Sequence, residues 1–280
     1  MRKVFGWVLL FLMSTIVSFG QKAKPVFEVV PLGVYGGIDE RNLSAYLVAP
    51  IGTKEYVCLD AGTVHSGIEK AIEKGTFSVP SSTVLRQYIK GYCISHAHLD
   101  HVSGLIINSP ADSTKTVYAI APAMKMMQNH YFNDQTWANF GDEGFGKPLK
   151  KYHFETLSFA KTIPISNTSM TVQAFPLSHV NPYESTAFLI KKDNNAILYL
   201  GDTGPDSVEK TTNLADLWKA IAPLIQKQEL KGILIEVSFP NEQPDAFLFG
   251  HLTPKHLLKE MQVLAALTGK EALQKCKIII

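Results

Sequence analysis

Cysteine is scarce in this chain: Cys58, Cys93 and Cys276 are the only three among 280 residues, and they are widely spaced. An odd, scattered set builds no disulfide framework, so the fold must rest on a buried apolar core. An excess of one charge is lacking too. Lysine and arginine number 27 against 25 aspartates and glutamates, and Arg2 and Lys3, in a segment that reads as removable, account for the difference. A neutral body gives no electrostatic reason to expect a long nucleic acid or a membrane surface as partner. A small substrate recognised locally fits better. The chain has no Gly-x-Gly-x-x-Gly and no Walker loop, which removes the common phosphate cradles. It has no internal repeat or low-complexity block. With 46% hydrophobic and 19% charged residues, disorder is excluded.

The one long uncharged run lies at the start. Met1, Arg2 and Lys3 are followed by 18 residues without charge, Val4 to Gln21, apolar as far as Met13 and then fading into serine, threonine and glycine. That is the layout of a secretory signal, with Ser18 and Gly20 at the minus-three and minus-one positions and cleavage expected before Gln21. An uncleaved anchor is the alternative, because 18 residues reach the lower limit for spanning a bilayer. Residues 1–20 are therefore expected to be a signal peptide and residues 21–280 a single domain. The mature protein is expected in the periplasm or outside the cell, without stable membrane association.

From residue 26 onward, β-branched and aromatic runs alternate with helix-like stretches. Strands are expected at 27–31, 45–48, 56–59, 91–94, 116–119, 170–175, 187–191, 196–200, 232–237 and 277–280. Helices are expected at 66–74, 122–130, 214–226, 254–267 and 271–274, with Thr253-Pro254 as a cap-then-proline start. Strands in succession early and strands mixed with helices later favour a helix-covered pair of sheets over a doubly wound sheet.

The chemistry-bearing segment follows the apolar run Tyr92-Cys-Ile94. His96, His98, Asp100 and His101 place four potential metal ligands within six residues. On a loop leaving a strand, His96 and His98 turn inward together, and a tighter turn directs Asp100 and His101 to a second position. This suits two adjacent metals. Imidazole and carboxylate donors select zinc, manganese or iron over calcium, and no thiolate here points to a closed structural zinc site. His65, His130, His153 and His256, each alone, read as ordinary polar residues. Two further ligands sit at strand exits, His179 after the run 170–175 and Asp202 after the run 196–200. Asp202 has two oxygens and could bridge two ions.

In this order the residues Asp60, His96 to His101, His179 and Asp202 resemble the motif series of the metallo-β-lactamase superfamily. The longer run 96–110 resembles the signature of its class II cyclic-nucleotide phosphodiesterases. Asn42-Leu-Ser44, Leu59-Asp-Ala-Gly62, Gly201-Asp-Thr-Gly204, Glu236-Val-Ser-Phe-Pro-Asn241 and Gly250-His-Leu-Thr-Pro254 agree with it, so the resemblance runs from about residue 27 to the end. It implies an α/β (α+β) fold, the αββα sandwich, with two divalent metal ions, zinc favoured, between the sheet edges. It also implies hydrolysis of 3′,5′-cyclic AMP or cyclic GMP to the 5′-nucleotide by a metal-bridging hydroxide. On the same resemblance His96, His98 and His179 hold one ion, Asp100 and His101 hold the other, and Asp202 bridges them. Asp60 would lie behind the ligands and fix their orientation.

The resemblance places a last metal histidine just past a final strand, and in this chain the run 277–280 is where the sequence stops. The expectation is therefore a chain truncated at its C-terminus or one with an incomplete second metal site. His251 is then either a replacement ligand or, as the analogy favours, a proton donor near the leaving group, paired with Glu236. The segment 124–137, rich in methionine and aromatics, could wall a purine but reads better as core. Two other functions stay open: another phosphodiesterase or nuclease of the superfamily, and a secreted metal-binding protein without turnover.

Overall fold

The runs 56–59, 115–120 and 196–200 are buried along their whole length and are therefore covered on both faces. In the computed structural model, which describes residues 25–280, β1 (Phe27–Gly33), β2 (Ala45–Pro50), β3 (Tyr56–Leu59), β4 (Ile89–Cys93), β5 (Lys115–Ile120) and β6 (Tyr152–Leu157) form one sheet in that order. A second sheet holds β7 (Thr162–Pro164), β8 (Thr171–Ser178), β9 (Glu184–Lys192), β10 (Asn195–Leu200), β11 (Leu230–Leu234) and β12 (Lys277–Ile279), again in chain order. Each sheet begins with antiparallel neighbours and ends in parallel ones, from β3 to β6 and from β10 to β12. Parallel pairs need crossovers, and these carry the helices. In the first half they are α1 (His65–Glu73), α2 (Ser81–Thr83), a π-helical turn Val84–Tyr88, α3 (Leu99–Asn108) and α4 (Ala121–His130). In the second they are α5 (Asp206–Glu209), α6 (Asn213–Gln226), α7 (Pro254–Thr268) and α8 (Lys270–Leu273).

The period of two along the strands separates two cores. Phe188, Ile190, Ile197 and Tyr199 point into the core between the sheets, whereas Ala187, Leu189, Leu198 and Leu200 belong to the core beneath α6 and α7. On α6 the buried residues Leu214, Leu217, Trp218, Ile221 and Ile225 recur every three or four positions, a helical stripe facing that second core. The Trp218 indole donates to Glu260 Oε2 at 2.7 Å and ties α6 to α7. The outcome is the αββα sandwich. The expected signal segment, residues 1–20, lies outside the described residues. Among the described residues no helix is long and apolar enough to cross a membrane.

The elements that were not expected are β6, β7 and α3, with the short α2, α5, the π-helical turn and a 3₁₀ turn, Asp245–Phe247. Of these, α3 matters for the site. Asp100 and His101 stand in the first turn of a helix, not on a tight turn of a loop, because Val102, Leu105 and Ile106 supply a buried stripe directly after the ligands. Glycine lets this helix seat backbone against backbone. A Cβ on Gly104 would lie 2.7 Å from the Ala61 carbonyl oxygen, and one on Gly62 would collide with the Asp100 carbonyl. Of the methionines and aromatics in the segment 124–137, Met124, Met127 and Phe132 are buried in the core, Met126 and Tyr131 are half-buried, and Trp137 is exposed.

Candidate metal centre

The exits of β3, β4, β8, β10 and β11 bring Asp60, Ser95 to His98, His179, Asp202 and Glu236 to one edge of the sandwich. Asp60 adopts a left-handed backbone (φ 52°), and its amide donates to the Cys93 carbonyl at 2.9 Å, locking β3 to β4 where both end. Its fully buried carboxylate is saturated with donors. Oδ1 accepts the Ser95 amide at 2.7 Å, and Oδ2 accepts the Ser95 hydroxyl (2.7 Å), His101 Nδ1–H (2.7 Å) and the Tyr199 hydroxyl (2.6 Å). Ser95 Oγ, having given its proton to Asp60, accepts from His96 Nδ1–H at 2.9 Å. His179 Nδ1–H donates to the Gly250 carbonyl at 2.9 Å.

These outward bonds decide where the ring lone pairs go. With Nδ1 of His96 and His179 committed as donors, their Nε2 atoms turn lone pairs inward, toward Nδ1 of His98 at 3.1 Å and 3.2 Å. His98 has one ring proton or none to offer at Nδ1, so it cannot satisfy both. Asp202 Oδ2 approaches the same atoms, 3.2 Å from His101 Nε2, 3.8 Å from His96 Nε2 and 4.0 Å from His179 Nε2. Converging lone pairs and a carboxylate, nearly all buried, call for cations. The donor atoms fall into overlapping groups, His96–His98–His179, His96–His101–Asp202 and His179–Asp202–His251. Nitrogen and oxygen donors sharing Asp202 suit a pair of divalent metal ions. Asp100 joins from α3, its Oδ2 lying 3.7 Å from His101 Nε2 and accepting the Gly37 amide at 3.2 Å.

The electrostatics match this geometry. Burial would raise the Asp202 carboxyl, but the charge of His101 and its hydrogen bond outweigh burial and hold it well below the usual range. Burial also opposes charge on His101, yet Asp202 and Asp60 together lift that ring well above the usual imidazole value. Burial drives His96 well below it, reinforced by His101, and lowers His98 in the same sense, reinforced by His179. His251 is raised: burial opposes this, but the hydrogen bond and charge of Glu236 prevail.

His251 Nδ1 lies 2.9 Å from Glu236 Oε1 and 3.8 Å from Asp202 Oδ2. Glu236 is itself fixed by the amide and hydroxyl of Ser238 (2.9 and 2.6 Å) and by the Thr203 amide at 3.3 Å. A cavity of about 700 Å³ opens here, bordered by Asp100, His101, Asp202, His251, Tyr46 and Phe239. Burial, then the charges of Asp60 and Asp202, push the Tyr46 phenol up to about 12, so it stays protonated.

Every expected site residue thus meets at this edge, while His65, His130, His153 and His256 lie elsewhere, outside the ligand groups. Several supporting residues were not anticipated. The Ala97 peptide is clamped by two tyrosines, its amide donating to Tyr183 OH (3.3 Å) and its carbonyl accepting from Tyr131 OH (2.9 Å), and the Tyr183 ring stacks on His98 at 4.8 Å. Buried Glu209 accepts the Ser178 hydroxyl (3.0 Å) and the Asn181 amide (2.7 Å), gripping the turn that carries His179. Of these, Tyr131 lies in the segment 124–137 singled out in the sequence, and Tyr183 and Glu209 carried no sequence signal.

Against known proteins, the family model of class-II cAMP phosphodiesterases matches residues 26–280. A 3′,5′-cyclic-nucleotide phosphodiesterase of Aliivibrio fischeri is 43% identical over 283 aligned residues, covering 97% of this chain and 85% of its own. A probable 3′,5′-cyclic-nucleotide phosphodiesterase of Yersinia pestis is 44% identical over 262, covering 90% of this chain and 76% of its own. Among solved structures, unliganded yeast PDE1 matches with a TM-score of 0.80 at 24% identity, over 90% of this chain and 86% of its own. A metallo-β-lactamase fold protein of Bacillus subtilis matches with a TM-score of 0.58 at 14% identity, over 91% and 97%. At these identities the two structures establish the fold.

Proposed function

The chain belongs to the class-II cAMP phosphodiesterase family, and on that premise we propose that it hydrolyses 3′,5′-cyclic nucleotides to 5′-nucleotides at the cluster around Asp202. The observation that carries this reading is the convergence of the His96, His101 and His179 Nε2 atoms on one Asp202 oxygen beside an open cavity. His96, His98 and His179 would hold one ion, Asp100 and His101 the second, and Asp202 would reach both. Zinc is the ion we favour, from the nitrogen-rich donor set. A pair of divalent ions there supplies an acidified water and neutralises phosphoryl oxygens.

The chain's own groups supply the rest. Asp60 holds His101 in the tautomer that keeps Nε2 free for a ligand bond, and Ser95 does the same for His96. His251 has its Nδ1–H committed to Glu236, which disfavours Nδ1 as a ligand and leaves Nε2 to bring a proton to the departing ribose 3′-oxygen. Burial opposes charge on His251, but the hydrogen bond and charge of Glu236 favour its protonated form. A cyclic phosphate bears a single charge, so no basic patch is required, in keeping with the near-neutral chain.

Replacing Asp202 or His98 by alanine tests the reading. Cyclic AMP turnover and bound metal should vanish together. Variants that lose the metal yet keep turnover would refute it. We also infer export of the mature domain, residues 21–280, to the periplasm or beyond. The signal-like layout of residues 1–20 supports this, and N-terminal sequencing of the protein recovered outside the cytoplasm, expected to begin at Gln21, checks it.

A further inference from the structure

Between β11 and α7 the chain makes a long excursion, 235–253, that returns through a 3₁₀ turn, Asp245–Phe247. It carries three phenylalanines in a contiguous series. The ring centroids of Phe239 and Phe249 lie 6.4 Å apart, as do those of Phe249 and Phe247, and Phe239 meets the His251 ring at 5.7 Å. Phe249 and Phe247 are 61% and 56% exposed, whereas Leu248 between them is buried, so the aromatic rings are the surface this loop displays.

Phe249 adopts a left-handed backbone (φ 49°), and Gly250 follows at φ 77°. A bulky residue seldom accepts that conformation, and such strain persists where surrounding structure enforces it. In the same turn the Gly250 carbonyl accepts from His179 Nδ1–H at 2.9 Å. The turn that orients a candidate metal ligand therefore also presents Phe249 behind Phe239. Phe239 borders the same cavity as Asp202 and His251, and its amide is pinned to the Leu252 carbonyl at 3.2 Å.

We propose that Phe239, backed by Phe249, is the platform on which the purine of a cyclic nucleotide stacks once its phosphate is at Asp202 and His101. This rests on the phosphodiesterase reading above. The cavity, about 700 Å³, has room for far more than a phosphate, and of the aromatic residues on its border, Tyr35, Tyr46, Tyr199 and Phe239, it is Phe239 whose ring meets His251. A phenyl ring offers no hydrogen bond to a base edge. Stacking here therefore grips adenine and guanine alike and leaves their discrimination to other groups.

The test compares cyclic AMP with the 3′,5′-cyclic phosphate of 1-deoxyribose, which keeps the sugar and phosphate and lacks the base. Phe239→Ala should raise KM for cyclic AMP about tenfold while kcat stays within about twofold, and should leave the base-free substrate unaffected. Phe239→Leu keeps apolar bulk without a π-face and should behave as the alanine variant does. Phe239→Trp should restore the wild-type KM. Equal losses on both substrates would show that Phe239 acts through His251 and would overturn the inference while leaving the phosphodiesterase reading intact. A wild-type protein that turns over neither cyclic AMP nor cyclic GMP would overturn both.

Discussion

Asp60 and His101 are joined by a 2.7 Å bond from Nδ1–H to Oδ2, with both side chains withdrawn from water. The imidazole is thereby fixed so that its other nitrogen meets Asp202. Asp60→Asn would replace an acceptor that satisfies four donors with a half-amide that satisfies fewer. Zinc affinity should fall about 10- to 100-fold. Competition with a chromophoric chelator measures it, and an unchanged affinity would mean that Asp60 does not orient the ligands.

His251→Ala removes the proposed proton donor and leaves the donor atoms of His96, His98, His101 and His179 in place. The variant should retain its metal content and lose about 10²- to 10⁴-fold in kcat. Metal analysis beside steady-state kinetics reads both. Loss of one metal equivalent would identify His251 as a ligand instead.

Glu209 grips the turn after β8, and among the described residues no cation pairs with its carboxylate. Glu209→Ala would orphan the Ser178 hydroxyl and the Asn181 amide, at a cost of about 1–3 kcal/mol. Glu209→Gln keeps an acceptor and should cost less. Urea unfolding of the metal-free variants gives the order, and equal stability of all three proteins would contradict it.

His153 and Asp142 form an exposed pair at 2.6 Å. The bond to Asp142 raises His153, whereas burial opposes and the bond from His153 prevails in lowering Asp142. The imidazole's contribution is complete below its unfolded value, about 6.5, and is lost as pH rises through the raised folded value. The carboxylate's is present above its unfolded value, about 3.9, and is lost as pH falls through the lowered one. His153→Asn should therefore melt below wild type by the most between about pH 4 and 6.5, by no more than about 1 kcal/mol, with the gap closing on either side. A gap that does not vary with pH would assign the effect to packing.

The candidate ligands were legible because metal chemistry demands fixed residue types, and His96, His98, Asp100 and His101 lie within one short segment. The helix bearing Asp100 and His101 was not, since its start coincides with the ligands and its stripe, Val102, Leu105 and Ile106, is short. The helix-covered pair of sheets was legible from strands in succession early and strands mixed with helices later, and the αββα sandwich from the resemblance carried by Asp60, His96 to His101, His179 and Asp202. The supports of the site depend on distance in sequence: Tyr199 reaches Asp60 across 139 positions, and Glu209 reaches Asn181 across 28. Neither pairing leaves a local pattern.

Product formation from 3′,5′-cyclic AMP by the purified, zinc-loaded protein, beside a chelated sample, bears most directly on the proposed activity. Release of 5′-AMP that the chelator abolishes and added zinc restores is the predicted result. A folded protein that holds its zinc and releases no 5′-AMP, or one that releases it equally well after chelation, would contradict metal-dependent hydrolysis at Asp202.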